Sequence, residues 1–220
     1  MNNFHTLPND SKRIIIEQTA LKQGLSKQIV EKDLWVSTLL EIVFVLPFAN
    51  KLVFKGGTSL SKVWGLIERF SEDIDLAVDR SLFGFEGDLT TKQIKKLRKA
   101  SSLFVSNEFL SELQSAINRF DLDNFIELEV QPDGEGDKTY PEPRQIFIKY
   151  QSLFETELSY VKPQIILEIG ARSLFEPTQK SSINSIVATE FPNVQTSVIS
   201  ADITTAVAAK TFLEKAFLLH

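Results

Sequence analysis

The sequence predicts an α/β protein built on a mixed β-sheet flanked by helices. Three observations predict it. A strand, a tight turn, a helix and a second strand follow one another between Leu52 and Val78. Strand-length apolar or alternating segments recur at residues 125–130, 145–150 and 164–169. Long stretches before and after carry apolar residues at helical spacing, and interleaved helix and strand signals point to helices packed on a sheet. We expect an N-terminal helical segment over residues 1–50 packed on a core over 51–200, with 201–220 beginning a C-terminal helical region.

Taken in order, Asp10 or Ser11 can cap a first helix running to about Lys22, which Gly24 ends. Ser26 can cap a second helix to about Val45, with apolar residues at 29, 30, 34, 36, 39, 40 and 43, and Pro47 stops it. Leu52-Val53-Phe54 reads as a short buried strand leading into Gly56-Gly57. Leu60 to Phe70 reads as helical, with Leu60, Val63, Trp64 and Ile67 on one side. Asp73 to Val78 alternates like a strand. Residues 79–90 read as a loop with Gly84 and Gly87, and 91–119 as one or two helices. The strands at 125–130 and 145–150 are joined by QPDGEGDKTYPEPR, the composition of a long hairpin connection. Gln164–Ile169 is an apolar strand with one acid, Glu168. Residues 171–200 look irregular, with short strands at most. Asp202 can cap a final helix through TAVAAKTFLEKAFLLH, which has no C-capping glycine and stops on an apolar run; we expect the natural chain to continue past His220.

Composition narrows the function. The chain has 220 residues, 43% of them apolar, with 17 Phe, enough for a sizeable core. Without cysteine there are no disulfides and no thiolate metal sites. The histidines are His5 and His220 alone, which disfavours a histidine-built zinc centre or a Ser-His-Asp triad. The longest apolar run, Leu39–Phe48, is too short to span a bilayer, and the N-terminus has no apolar signal core, so we expect a soluble, cytoplasmic protein with no membrane partner. At a net charge of −5 no global basic field exists to hold nucleic acid. A local patch is available: Lys92, Lys95, Lys96 and Lys99 lie on a predicted helix with Arg98, as a solvated face or a groove for an RNA backbone, and Arg144 and Lys149 could extend it. Trp35 and Trp64 read as core.

The most informative stretch is KGGTSLSKVWGLIERFSEDIDLAV, Lys55–Val78. Gly56 and Gly57 permit close backbone approach and unusual dihedrals. Thr58 and Ser59 open the next helix, where free N–H groups favour anions and the hydroxyls can bond phosphate. Lys55, Lys62 and Arg69 are nearby cations. In a strand, Asp73 and Asp75 project from the same face. Two adjacent carboxylates repel unless a cation sits between them, and Mg2+ (or Mn2+) suits carboxylates, phosphate oxygens and water. Glu168, flanked by Ile165-Ile166-Leu167 and Ile169, is the candidate third acid, since burying a lone carboxylate is costly. A Gly-Gly turn or an Asp-x-Asp is common by itself, and no Walker A spacing is present. Their conjunction with a strand acid downstream points to in-line displacement at phosphorus.

Gly57-Thr58, a helix, Asp73-x-Asp75 and a later strand acid together resemble the polymerase-β-like nucleotidyltransferase superfamily. More narrowly, FKGGTSLSK followed by RFSEDIDL resembles the AbiEii-type nucleotidyltransferase toxins of type IV toxin–antitoxin systems. EKDLWVSTLL (Glu31–Leu40) is similar to a segment that precedes the turn in that family, and KTFLEKAFLLH (Lys210–His220) to its lysine-bearing helix.

The resemblance implies a nucleotidyltransferase fold and transfer of a nucleoside monophosphate from an NTP to an acceptor hydroxyl, with the tRNA 3′ end as the acceptor and a protein side chain as the alternative. The protein would act as the toxin of a toxin–antitoxin or phage abortive-infection system with a cognate antitoxin. It implies Gly56, Gly57, Thr58 and Ser59 as the phosphate turn, Lys62, Arg69, Ser71 and Lys210 as further nucleotide contacts, and Asp73, Asp75 and Glu168 as catalytic metal ligands, with Lys215 as the catalytic lysine. The family usually adds an Asp in an Arg-rich, Tyr-Asp-Leu-like segment after the lysine helix, which lies past His220. The alternatives are a nucleotide- or partner-binding module without chemistry and a metal-dependent phosphohydrolase.

Overall fold

The computed structural model describes residues 2–67, 73–155, 161–173 and 177–218, with the side chains of residues 2, 3, 137 and 215–218 outside the description. The described strands are β1 (Asn2–Asn3), β2 (Leu52–Lys55), β3 (Asp73–Val78), β4 (Ile126–Val130), β5 (Arg144–Tyr150), β6 (Gln164–Gly170), β7 (Thr178–Ser181), β8 (Val194–Gln195) and β9 (Ile203–Ala206). The helices are α1 (Asn9–Gln23), α2 (Lys27–Val43), α3 (Gly56–Lys62), α4 (Thr91–Phe104), α5 (Leu110–Arg119), α6 (Ile186–Glu190) and α7 (Ala208–Leu218), and Val105–Phe109 widen into a π-helical turn between α4 and α5.

Seven strands form one sheet in the order β4-β5-β6-β3-β2-β9-β7. The β3–β6 and β2–β9 pairs are parallel and the others antiparallel, so the sheet is mixed, as the sequence predicts. Strand alternation sorts the side chains. Leu52 and Phe54, Ile74, Leu76 and Val78, Ile146 and Ile148, and Ile165, Leu167 and Ile169 face one side, where they pack with Trp35–Val43 of α2 and with Leu97, Phe104, Phe109 and Leu113. Each fully buried side chain of this size contributes about 1.5–3 kcal/mol. The reverse face carries a small cluster of Val53, Ala77 and Ala206, and it carries the acids. A second cluster docks α1 on α2 through Ile16, Ala20, Val30 and Leu34.

The boundaries follow local chemistry. Ser26 caps α2, its hydroxyl accepting from the Ile29 N–H (3.3 Å), and Gly24 ends α1 in the left-handed region at φ 64°. Pro8, and not Asp10 or Ser11, stands at the start of α1, where its fixed φ suits helix entry. Two further expectations are corrected. The helix after the glycine turn starts at Gly56 and ends at Lys62, short of Phe70, because Gly65 turns left-handed (φ 59°) and the Leu66 N–H donates back to the Leu60 carbonyl (2.9 Å). Residues 203–206 are a strand where a helix is expected, because β2 and β7 both offer it a partner; α7 begins only at Ala208.

α2 holds the molecule together by unusual means. Its Glu31, Asp33 and Glu41 are all buried, and each accepts from a distant backbone N–H: Leu153 (2.7 Å), Ile186 (2.7 Å) and Val198 (2.9 Å) respectively. Glu31 also accepts from the Ser152 hydroxyl. Such charge-assisted bonds are what make a buried carboxylate tolerable. Burial still pushes the Glu31 and Glu41 carboxyls above their ordinary range, with the hydrogen bonds opposing it. Among the described residues no helix is long and apolar enough to cross a membrane.

Candidate active site

Sheet register builds the site. Parallel pairing of β3 with β6 sets Asp75 directly opposite Glu168, and antiparallel pairing sets Lys55 of β2 opposite Asp75 and Gln145 of β5 opposite Glu168. A polar row therefore crosses four strands on the reverse face: Gln145, Glu168, Asp75, Lys55. Neighbouring strands lie about 4.8 Å apart, close enough for each pair to interact. The Gln145 amide donates to Glu168 Oε1, and Lys55 Nζ lies 3.8 Å from Glu214 of α7. Asp73 precedes Asp75 by two residues and so shares its face.

The row is electrostatically loaded. The Asp75 carboxyl is pushed up from 3.8 to about 6, chiefly by burial and further by the Glu168 and Asp73 charges, while Lys55 opposes the rise. Lys55, Asp75 and Glu168 of the row line a cleft of roughly 410 Å³ together with Glu142, Gly170 and Arg172.

The glycine turn is fitted to this row. Gly56 sits at φ 77°, and a Cβ there would lie 1.8 Å from Asp75 Oδ2, so no side chain fits between turn and carboxylate. The hydroxyls of the turn bond inward: Thr58 Oγ1 donates to the Asp73 carbonyl and Ser59 Oγ to the Gly56 carbonyl (2.8 Å). Both side chains are buried. The Thr58 proton ties the turn to β3 and the Ser59 proton closes the turn on itself, which leaves backbone N–H groups as the donors the turn can offer an anion.

A family profile for the nucleotidyl transferase AbiEii toxins of type IV toxin–antitoxin systems matches residues 38–220. The chain belongs to the AbiEii nucleotidyltransferase toxin family. Its fold is similar to that of MenT4, a nucleotidyltransferase toxin of Mycobacterium tuberculosis H37Rv, with a TM-score of 0.51 at 20% sequence identity; the match covers 93% of this chain and 57% of that one. No curated protein matches the chain. The AbiEii membership and the mixed sheet agree with the family and fold expected from the Lys55–Val78 motif.

Other expected site residues of this AbiEii chain fall elsewhere. Lys62 turns away from the carboxylates: its ammonium bonds Asp33 of α2 in a buried ion pair and lies 3.4 Å from the Asn184 carbonyl. Arg69 and Ser71 lie outside the described residues, as does the side chain of Lys215. Lys210 lies in the first turn of α7. Arg144 is not part of a basic surface: it is buried, with its guanidinium on Asp133 (2.7 Å), the Gln131 carbonyl (2.8 Å) and the Ser102 hydroxyl (2.9 Å). Lys149 pairs with Glu129 at 2.7 Å. Lys92, Lys95, Lys96 and Lys99 are exposed along α4, Lys99 lying over the Tyr140 ring.

Two residues at the site carry no signal in the sequence. Gln145 is an ordinary strand residue until register places it on Glu168. Glu142, between two prolines, accepts from the Ala171 N–H (2.6 Å) and so anchors the end of β6. A Cβ on Gly170 would lie 2.7 Å from its Oε1. Burial pushes the Glu142 carboxyl up, against the pull of the Ala171 N–H.

Among the described residues no three His, Cys, Asp or Glu side chains converge as a dedicated metal cage would. That arrangement still fits Mg2+, which keeps several waters and binds through one or two carboxylates plus substrate phosphates. Facing carboxylates at Asp75 and Glu168, with Asp73 on the same face, are the donor chemistry it takes.

Proposed function

We propose that this chain carries a metal-dependent nucleotidyl-transfer site that moves a nucleoside monophosphate from an NTP to an acceptor hydroxyl on tRNA, with pyrophosphate leaving. It would act in the cytoplasm as a toxin restrained by a cognate antitoxin. The observation that carries the reading is the facing pair Asp75 and Glu168, with Asp73 on the same face and a side-chain-free turn at Gly56 packed against Asp75.

The facing Asp75 and Glu168, with Asp73 beside them on the same face, would hold Mg2+ or Mn2+. Bound there, the ion would supply Lewis-acid stabilisation of phosphoryl charge and lower the pKa of a bound hydroxyl. The protein's own groups do the rest. Gln145 orients Glu168 by donating to one oxygen, leaving the other for the acceptor's proton. The backbone N–H groups of Gly56–Ser59 face the triphosphate. Lys62, locked to Asp33, fixes the far end of α3 and hence the angle of the turn. Lys215 steadies the phosphates by family resemblance, with Lys210 as second choice and Arg69 and Ser71 as flanking contacts. Exposed Lys92, Lys95, Lys96 and Lys99 offer the RNA backbone a counter-charge.

The test is incubation with labelled NTPs, Mg2+ and total tRNA. Label moving to RNA is the expected result, abolished by Asp73→Ala with Asp75→Ala. Release of inorganic phosphate without labelled RNA would replace transfer by hydrolysis. NTP binding without either reaction would make the chain a binding module. Transfer surviving the double substitution would refute the site.

A further inference from the structure

We infer that the cavity between α1, α2 and the segment after β5 is a binding site for a small oxyanion, a carboxylate or a phosphate. It lies on the core side of the sheet, away from the carboxylate row, and the inference is independent of the transfer chemistry. The cavity encloses about 120 Å³, lined by Lys12, Arg13, Glu31, Trp35, Phe125 and Gln151 among others. With about 30 Å³ per water in the liquid, that is room for roughly four waters or one ion the size of acetate or phosphate.

Lys12 is the decisive residue. Its side chain is only 8% exposed. The ammonium sits over the Phe125 ring, 5.1 Å from its centroid, and no carboxylate or carbonyl of the described residues pairs with it. Burial lowers its pKa. A buried ammonium satisfied by a ring face alone is expensive, and it calls for an acceptor in the adjoining space. The one carboxylate of the lining is occupied elsewhere. Both oxygens of Glu31 are engaged, one by the Leu153 N–H and one by the Ser152 hydroxyl. His5, also in the lining, is held neutral near pH 7, its pKa lowered to about 4 by burial, so it neither repels nor attracts an ion strongly. Arg13 adds a second positive charge at the rim, fixed by its Nε on the Leu153 carbonyl (2.9 Å). Lys12, with Arg13 at the rim beside Asp10 and the Asn9 and Gln151 amides, faces a space whose one lining carboxylate already accepts on both oxygens, which suits an anion with two or more acceptor oxygens.

Trp35 lines the cavity and Trp64 is the chain's other tryptophan, so the site has a built-in reporter. In the Trp64→Phe protein, with EDTA and at constant ionic strength set by chloride, acetate and inorganic phosphate are titrated separately while Trp35 emission is followed. A saturable change with acetate alone assigns a carboxylate site, with phosphate alone a phosphate site, and with both a general oxyanion site. Lys12→Met weakens the response about ten- to hundred-fold, the worth of a hydrogen bond to a charged group, and Lys12→Arg retains it. Where Lys12→Met proves unfolded by circular dichroism, Lys12→Gln takes its place. No saturable change with either ion, or the same affinity without the cation, overturns the inference and leaves the cavity to water.

Discussion

Replacing Asp75 by Asn should make the protein more stable at neutral pH while destroying the proposed reaction. The folded carboxyl titrates near 6, against an ordinary value of 3.8. The unfolded chain therefore gives up its proton first as pH rises. Between pH 4 and 6 the folded state retains a proton the unfolded state has lost, and stability falls as pH climbs through that window. At ~1.4 kcal/mol per tenfold difference the loss approaches about 3 kcal/mol above pH 6. Asparagine has the same shape and no such loss. Lys55 forfeits a neighbouring charge in the variant but keeps Glu214, so a net gain of about 1–3 kcal/mol is expected. For a chain of this size that is a rise in Tm of about 3–10 °C. Thermal melts in EDTA at pH 4, 6 and 8 measure it. The gap should be near zero at pH 4 and full at pH 8. A variant no more stable than the parent at pH 8, or a gap that persists at pH 4, refutes the argument that the carboxylate row stores electrostatic strain. Adding Mg2+ should raise the parent's Tm and leave Asp75→Asn nearly unmoved.

Gly56→Ala should abolish transfer and cost about 1–2 kcal/mol for the left-handed backbone alone, since the new methyl must displace the Asp75 carboxylate; wild-type activity would contradict the turn's fit. Asp33→Asn leaves Lys62 buried without its counter-charge and should cost about 3–5 kcal/mol in a urea melt, with Asp33→Asn plus Lys62→Met recovering much of it. His5 is half-buried, and desolvation lowers its pKa to about 4 against an ordinary 6.5. The unfolded chain takes up a proton first as pH falls below 6.5, so His5 contributes about 3 kcal/mol that is present above that pH and lost on the way to pH 4. His5→Phe should flatten that limb of the pH–stability curve.

The parts of the site that depend on local pattern are legible in the sequence. Asp73-Ile74-Asp75 announces a two-faced strand, Gly56-Gly57 a close approach, and Glu168 an acid with no business in an apolar strand unless it has a partner. What escapes is whatever depends on partners distant in the chain. Lys62 follows the turn by a few residues and reads like a phosphate ligand; only the packing of α2 shows that Asp33 claims it. Arg144 reads as surface charge beside a loop, yet the hairpin folds over it. Residues Ile203–Ala206 have too few positions to declare a period, and they become a strand because β2 and β7 leave a gap between them. Lys55 is read correctly as a nearby cation, but its place opposite Asp75 is a fact of register that no local pattern encodes.

The parallel pairing of β3 with β6 has a consequence for how the chain comes into being. Asp75 emerges from the ribosome long before Glu168, and the strand that carries Glu168 can take its place beside β3 only after β4 and β5 have been made. β9 must then arrive from still later in the chain to close the other side of β2. A nascent or prematurely terminated chain ending before Glu168 thus has half a carboxylate pair and no complete cleft. Chemistry is withheld by topology until synthesis of the sheet is essentially complete, a built-in delay between the appearance of the polypeptide and the appearance of its reactivity.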